Sequence, residues 1–259
     1  MSDILTYAAF GHSHVVALAR GAYALETKQA RAGATLTTGR FHYLYDAGYV
    51  PEVQVGPDGA VLHPAIVQAL DAGPDVVILS IGGNEHNVLS IAQASPQFDF
   101  VLGSAPTLAL DRHADIIPES VLRETLRDWM GVKIDTMREI RKATNAPVIQ
   151  AEPPPPLPRE QVLAYPKEFF QKTLSLRKVS PDLLRYKMWR LQTELYREMC
   201  AEIGVDYVAT PPEFVAPDGM LVRSAWATDA THANELFGER MMQDVFALAR
   251  QRLAERVAT

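Results

Sequence analysis

The sequence is nearly free of cysteine, since Cys200 is the only one among 259 residues. A single cysteine excludes an intrachain disulfide. Cys200 lies among apolar residues in a predicted helix, which favours a buried structural thiol over a nucleophile.

The sequence also lacks an excess of basic residues: 25 Lys and Arg face 31 Asp and Glu, for a net charge of -6. No run of Lys or Arg interrupts this balance. A surface that neutralises the phosphates of nucleic acid or of anionic lipid is therefore not expected. The charge favours a small molecule as the partner, and the oligomeric state stays open.

A long hydrophobic run is absent from the first residues, "MSDILTYAAFGH". An acid stands at position 3, no basic residue precedes the apolar stretch, and that stretch is too short to cross a membrane. We therefore expect neither a signal peptide nor a membrane span, and a cytoplasmic protein.

The sequence does contain enough apolar residues for a hydrophobic core, since 47% of its residues are hydrophobic. This content suits one domain over residues 1–259. Short apolar runs bounded by turn residues predict buried parallel strands. These are Thr6–Phe10, Asp75–Ile81, Pro147–Ala151 and Val205–Ala209. Helical patterns alternate with them, at Val15–Lys28, Pro64–Asp71, Pro118–Thr144, Pro181–Ile203 and Ala233–Arg256. The alternation predicts an α/β fold with a mainly parallel, doubly wound sheet.

Two segments fit neither pattern and are predicted to be long loops near a pocket, Arg31–Pro51 and Ala94–Pro118. The second is rich in apolar residues, so we expect it to roof the pocket, with Phe98 and Phe100 in contact with substrate.

Polar motifs follow the predicted strands, where parallel α/β sheets gather their functional loops. The first is "GHSH", which places Ser13 at the turn into the first helix. There a serine hydroxyl is suited to act as a nucleophile beside free first-turn N–H groups. Ser13 is equally suited to cap the helix.

The second motif, "SIGGNEHN", follows the strand Asp75–Ile81. Gly82 and Gly83 permit a close backbone approach to a ligand, and Asn84 offers an amide donor for an oxyanion. A tight turn with a capping Asn is the structural alternative.

The third motif lies before the last helix, where "DATH" separates Asp229 from His232 by two residues. The carboxylate is able to fold back onto the imidazole Nδ1–H, which leaves Nε2 free as a base. The alternative is a helix cap beside a solvated histidine.

Together these three motifs resemble the blocks of the SGNH (GDSL-type) hydrolases, in order and over almost the whole chain. The resemblance implies a three-layer α/β/α sandwich of the flavodoxin-like type. It implies Ser13 as the nucleophile, Asn84 as a donor to the oxyanion, and Asp229 and His232 as orienter and base. It further implies an ester of a lipid, an aryl group or an O-acetylated sugar as substrate.

The sequence departs from the family in three places. His12 stands where the family has the Asp of its first block, and Glu85 stands for the Asp after the oxyanion Asn. The family's second block, a Gly whose N–H completes the oxyanion hole, has no clear counterpart. Gly39 is our assignment, with Gly48 as the alternative.

Metal binding is the main rival hypothesis, because His12 and His14 form an HxH pair that His86 and His232 are able to complete. We favour the milder interpretation, in which His14 and His86 line the substrate pocket or hydrogen-bond to the nucleophile loop. Gly82 and Gly83 are also expected to contact substrate. A catalytically inactive binding protein on the same fold is a second rival.

The sequence thus predicts a serine-dependent ester hydrolase or acyl transferase that works through an acyl-enzyme and needs no metal or other cofactor.

Overall fold

A computed structural model describes residues 4–57, 59–165, 171, 172, 174 and 178–257. Its centre is a parallel sheet of five strands in the order β2-β1-β5-β8-β9, with two small sheets, β3-β4 and β6-β7, outside it. The strands are β1 (Leu5–Gly11), β2 (Thr37–Tyr43), β3 (Val53–Gly56), β4 (Gly59–Leu62), β5 (Val76–Ser80), β6 (Phe98–Asp99), β7 (Asp115–Ile116), β8 (Val148–Ala151) and β9 (Asp206–Val208).

Helices cover both faces of the sheet, which makes the molecule a three-layer α/β/α sandwich. The helices are α1 (Val15–Arg31), α2 (Pro64–Asp71), α3 (Glu85–Ser90), α4 (Glu119–Lys142), α5 (Arg159–Ala164), α6 (Asp182–Ile203) and α7 (Glu235–Val257). Helices α1 and α7 pack on one face, and α2, α4 and α6 pack on the other. Among the described residues, no helix combines the length and the apolar character needed to cross a membrane.

Strand β1 shows why the sheet lies in the middle. Its side chains alternate, so that Tyr7 and Ala9 enter the core under α1 and α7 while Ala8 and Phe10 enter the core under α2 and α4. Gly11 pairs with Tyr43 of β2 and with Ser80 of β5, so the three strands end at nearly the same level. The loops that follow them meet at this edge.

The predicted fold class is confirmed, and so are the four predicted strands and five predicted helices, within three residues at each end. Cys200 is fully buried in α6, and burial raises the pKa of its thiol to about 12. This agrees with the predicted structural thiol.

The prediction of a loop over Arg31–Pro51 is wrong, because this segment contains β2, the edge strand beside β1. Its sequence, "TTGRFHY", has no continuous apolar run, since most of its side chains are exposed or half-buried. Strand prediction from buried runs misses a polar edge strand of this kind.

The segment Ala94–Pro118 is largely irregular, and none of its residues lines the groove beside Asn84. Phe100 is fully buried in the core under α4 and α6. Lys187 of α6 is also buried, and its Nζ binds Asp99 Oδ1 at 2.8 Å and the Ala109 carbonyl at 2.8 Å. The segment is therefore held to the body of the protein, and the prediction that Phe100 contacts substrate is wrong.

Candidate active site

Ser13 lies in the turn between β1 and α1. Helix α1 has His14 as its N-cap residue, without a side-chain cap bond, so Ser13 does not cap the helix. Its Oγ lies 2.7 Å from His232 Nε2 and 3.2 Å from Asn84 Nδ2. The hydroxyl is thus engaged by the other two motifs.

His232 and Asp229 belong to one tight turn before α7. His232 Nδ1 lies 2.8 Å from Asp229 Oδ2, and the backbone N–H groups of Thr231 and His232 both donate to Asp229 Oδ1 at 2.9 Å. Asn234 caps α7, accepting a hydrogen bond from the Leu236 N–H at 2.9 Å. Asp229 is therefore free of any capping role, and three donors fix its carboxylate.

The proton positions in this cluster follow from the donors and acceptors. An ionised carboxylate only accepts, so His232 carries its proton on Nδ1 and donates it to Asp229. Nε2 is then the bare acceptor, and the Ser13 hydroxyl donates to it. The arrangement is that of a nucleophile, a base and an orienting acid.

Asn84 follows two glycines with positive φ angles, 72° at Gly82 and 104° at Gly83. A Cβ at Gly82 would overlap the Tyr196 hydroxyl, and one at Gly83 would lie 2.8 Å from His14 Cδ2. Both positions therefore require glycine for conformation and for space. The turn carries Asn84 from the end of β5 to Ser13.

His12 and Glu85, two of the three departures from the family, both support this turn. The Gly82 N–H donates to His12 Nδ1 at 2.9 Å, so the ring proton is on Nε2, which donates to Glu52 Oε1 at 2.6 Å. The Gly83 N–H donates to Glu85 Oε2 at 2.9 Å. The sequence contained no signal for Glu52, which lies forty positions after its partner.

His14 packs against the ring of His232 rather than against open space. Its ring centroid lies 4.8 Å from that of His232, and 5% of the residue is exposed. Its predicted contact with substrate stays a prediction.

His86 does not line the site, which corrects the prediction. It is 1% exposed, and Gln192 Oε1 of α6 accepts a hydrogen bond from its backbone N–H at 2.6 Å and contacts its Nδ1 at 3.2 Å. Burial lowers the pKa of His86 to about 3. His86 is a neutral core residue between α3 and α6.

The assignment of Gly39 to an oxyanion hole is also wrong. Gly39 pairs with Tyr7 inside β2, four residues before the strand ends, which is about 13 Å along the strand. A Cβ there would overlap Tyr7, so packing explains the glycine. Gly48 lies exposed in a short 3₁₀ turn, Ala47–Tyr49.

Tyr45 follows Tyr43 by two residues, as Ser13 follows Gly11, the residue that pairs with Tyr43. The Leu44 N–H donates to the Gly11 carbonyl at 2.9 Å and the Asp46 N–H donates to the Tyr43 carbonyl at 2.9 Å. Within the described residues, the N–H groups of Ser13 and Tyr45 donate no hydrogen bond. Both remain available to a ligand.

A groove of about 350 Å³ opens beside Asn84 and His12. It is also lined by Gly82, Glu85, Val88, Trp129 and Lys133. Trp129, on α4, is 45% exposed, and Lys133 binds Glu85 at 3.2 Å. Trp129 was not predicted from the sequence, because no motif lies on or next to α4. The one available signal was a Trp on the exposed face of an amphipathic helix.

Phe98 lies apart from this groove, beside a cavity of about 160 Å³ bounded by Leu184 and Asp111 among others. The prediction that it contacts substrate is therefore not supported by its position.

The histidines of the rival metal hypothesis do not converge. Both ring nitrogens of His12 are engaged by Gly82 and Glu52, and His86 is buried against Gln192. Across the part of the chain that the structure describes, no three His, Cys, Asp or Glu side chains are grouped to hold a metal ion.

No protein-family model matches the sequence, and no curated protein matches it. Among solved structures, the chain is similar to a lipopolysaccharide acetyltransferase periplasmic domain from Salmonella ser. Paratyphi A, with a TM-score of 0.50 and 14% identity over 93% of this chain and 82% of that one. It is also similar to a GDSL-like lipase from Bacteroides thetaiotaomicron, with a TM-score of 0.48 and 13% identity over 97% and 88% of the two chains. An extracellular lipase from Streptomyces rimosus has a TM-score of 0.48 and 10% identity over 95% and 99%.

Identities this low show a shared fold and nothing finer. The fold implied by the SGNH resemblance is confirmed at that level. The chemistry has to be argued from the cluster itself.

Proposed function

We propose that this protein is a serine-dependent ester hydrolase or acyl transferase of the SGNH type. The observation that carries the proposal is the unbroken contact from Ser13 Oγ to His232 Nε2, 2.7 Å, and from His232 Nδ1 to Asp229 Oδ2, 2.8 Å. These three side chains come from opposite ends of the chain and meet at the edge of the sheet.

The first step is attack of Ser13 Oγ on the ester carbonyl carbon. His232 Nε2 takes the hydroxyl proton as the C–O bond forms, and Asp229 stabilises the resulting imidazolium. When the tetrahedral intermediate collapses, the bond to the alcohol oxygen breaks and His232 returns the proton to the leaving alcohol. The acyl group stays on Ser13.

Three donors surround the position of the carbonyl oxygen in this proposal: Asn84 Nδ2–H and the backbone N–H groups of Ser13 and Tyr45. Tyr45 replaces the Gly that the family resemblance led us to expect. A backbone N–H donates equally well from either residue type, so the substitution is chemically tolerable.

The second step transfers the acyl group from Ser13 to water or to another hydroxyl. His232 Nε2 removes a proton from the acceptor, and the acceptor oxygen attacks the acyl carbon. The bond between the acyl carbon and Ser13 Oγ then breaks, and His232 returns the proton to Ser13 Oγ. The groove beside Asn84 is the proposed binding site for the rest of a small ester. Its indole and aliphatic walls suit a ring or a short chain.

The test is mass spectrometry after reaction with a fluorophosphonate, which phosphonylates an activated serine. We expect one adduct, on Ser13, and none in Ser13→Ala. Hydrolysis of an aryl acetate should vanish in the same variant and should survive EDTA. Failure of the probe to label Ser13 would support an inactive binding protein; loss of activity with EDTA and rescue by zinc would support a metal enzyme.

A further inference from the structure

One hydrogen bond in the site reaches beyond the residues of the proposed mechanism. Asn87, in the first turn of α3, donates from Nδ2 to Asn84 Oδ1 at 3.0 Å, and Asn84 Nδ2 in turn faces Ser13 Oγ at 3.2 Å. Asn87 is 2% exposed. We infer that Asn87 is a positioning residue that fixes which face of the Asn84 amide is presented to the reacting oxygen. The inference rests on the proposed function.

The donor and acceptor roles along this series of hydrogen bonds follow from Asp229, which lies at its end. Asp229 accepts, so His232 donates from Nδ1, and the Ser13 hydroxyl must donate to the bare Nε2. The remaining partner of Ser13 Oγ must then be a donor, which is Asn84 Nδ2 rather than Oδ1.

Asn84 Oδ1 consequently points away from Ser13 and needs a donor of its own. Asn87 Nδ2 is that donor. Hydrogen bonds therefore run in one direction, from Asn87 through Asn84, Ser13 and His232 to Asp229. If the Asn87 amide presented its oxygen instead of its nitrogen to Asn84, the Asn84 amide would have to turn over as well.

The local backbone explains why Asn87 reaches its partner. Asn84 is the N-cap residue of α3, with φ -106° and ψ 0°, and makes no side-chain cap bond. Residues three apart in the first turn lie on one side of a helix, so Asn87 sits beside Asn84. Neither amide is engaged in capping, which is the usual role of Asn at such a position.

A second observation supports a functional reason for this residue. Asn87 Oδ1 is buried and has no hydrogen-bond partner within the described structure. A buried acceptor without a partner is destabilising, and an apolar side chain at this position would avoid it. Asn87 is thus suboptimal for packing alone but supplies the donor that Asn84 requires.

Without Asn87, the Asn84 amide is free to turn over and present Oδ1 to the developing oxyanion. Asn84 Oδ1, which carries a partial negative charge, would then face the oxyanion where an N–H donor is needed. We expect Asn87→Ala to lower kcat on the order of 10-fold, with KM nearly unchanged, because the interaction matters most in the transition state. Alanine favours helix, so the variant should fold.

Asn87→Asp is the sharper variant, because it keeps the shape and removes the donor. A carboxylate at this position accepts from Asn84 Nδ2 and so holds the amide in the wrong orientation. We expect a loss on the order of 100-fold in kcat, larger than for Asn87→Ala. An alkyl boronic acid, which forms a tetrahedral anion on an active serine, should bind more weakly by a similar factor.

The decisive measurement is a double-mutant cycle with Asn84→Ala. If Asn87 acts through Asn84, Asn87→Ala should change kcat less than 2-fold in the Asn84→Ala background. Ser90→Ala is the control, since Ser90 lies on the same helix and donates only to the His86 carbonyl; its kcat should equal that of the parent.

Equal losses from Asn87→Ala in both backgrounds, or no loss in the parent, would overturn the inference. The proposed function fails separately, if Ser13→Ala retains the hydrolytic activity of the parent.

Discussion

At the scale of single residues, the site depends on fixed proton positions more than on unusual side chains. Ser13, His232 and Asp229 each have their acceptor or donor role set by a neighbour, and His12 and Glu85 hold the turn that brings Asn84 to Ser13. The two residues that replace the family's acids therefore both brace the turn that carries Asn84.

The first prediction concerns the base and its orienting acid. His232→Ala should lower kcat by several orders of magnitude, and Asp229→Asn by roughly 10⁴-fold, because the amide favours the wrong imidazole tautomer. Hydrolysis of one aryl ester by purified variants measures both. His14→Ala, which removes only a ring packed beside the base, should cost on the order of 10-fold. An Asp229→Asn variant with nearly full activity would contradict the assignment.

The second prediction concerns His86, whose pKa burial lowers to about 3 from the ordinary 6.5. In the unfolded chain, His86 binds a proton as the pH falls through about 6.5. In the folded protein, His86 stays unprotonated until about pH 3. Unfolding is therefore favoured as the pH falls through this window, and this one group should cost about 2 kcal/mol of stability between pH 7 and pH 5.

Urea unfolding at the two pH values measures the effect. His86→Asn should reduce the difference in the free energy of unfolding between pH 7 and pH 5 by about 2 kcal/mol. An identical pH dependence in His86→Asn and the parent would show that His86 is not the responsible group.

At the scale of elements, the sequence predicted what apolar periodicity encodes and missed what depends on tertiary contact. The four strands buried on both faces and the five long helices were predicted, because continuous runs and amphipathic stripes are local signals. The edge strand β2 was missed because its exposed face keeps it polar. Phe100 was misread because composition does not reveal which way an apolar segment faces.

The same limit applies to the site. Ser13 and Asn84 follow the buried strands β1 and β5, so their proximity was predictable from parallel topology. Asp229 and His232 lie in a turn before α7, where their motif rather than a strand end marked them. Glu52 and Trp129 were not predictable, since each reaches the site from an element without a motif. The position of Trp129 depends on the packing of α4, which a single sequence does not specify.

The third prediction belongs to α4, which supplies Trp129 to the groove beside Asn84. Trp129→Ala should lower kcat/KM for a naphthyl ester about 10-fold, because the naphthyl ring loses its contact with the indole. Hydrolysis of methyl acetate, which has no such ring, should change less than 2-fold. Val132→Ala is the matched control, one turn along α4 and 61% exposed. Equal losses on both esters would mean that Trp129 supports the fold rather than substrate binding.

At the scale of the whole molecule, the first and last helices bring the two halves of the site together. Helix α1 begins at Val15, two residues after Ser13, and α7 begins at Glu235, three residues after His232. The two helices pack with their backbones in contact: a Cβ at Gly238 would overlap the Ala17 carbonyl, and one at Gly21 would overlap the backbone at Gly238 and Glu239. We therefore expect this glycine crossing to set the distance between Ser13 and His232.

The last prediction tests that crossing with Gly238→Ala. The added methyl group cannot be accommodated by side-chain rotation, because the atom it meets is backbone, so α7 must move away from α1. Overpacking of this kind destabilises by about 1–3 kcal/mol. A displacement of His232 by about 1 Å should lower kcat on the order of 10²-fold, a loss beyond what reduced stability explains at low temperature. Thermal unfolding and esterase kinetics on the same samples separate the two effects.

Gly131→Ala in α4 is the control, since nothing lies within 4 Å of its added Cβ. It should stabilise the helix by up to about 1 kcal/mol and leave kcat unchanged. If Gly238→Ala loses stability but keeps full kcat, the register of Ser13 and His232 is set by their own hydrogen bonds rather than by the packing of the two helices.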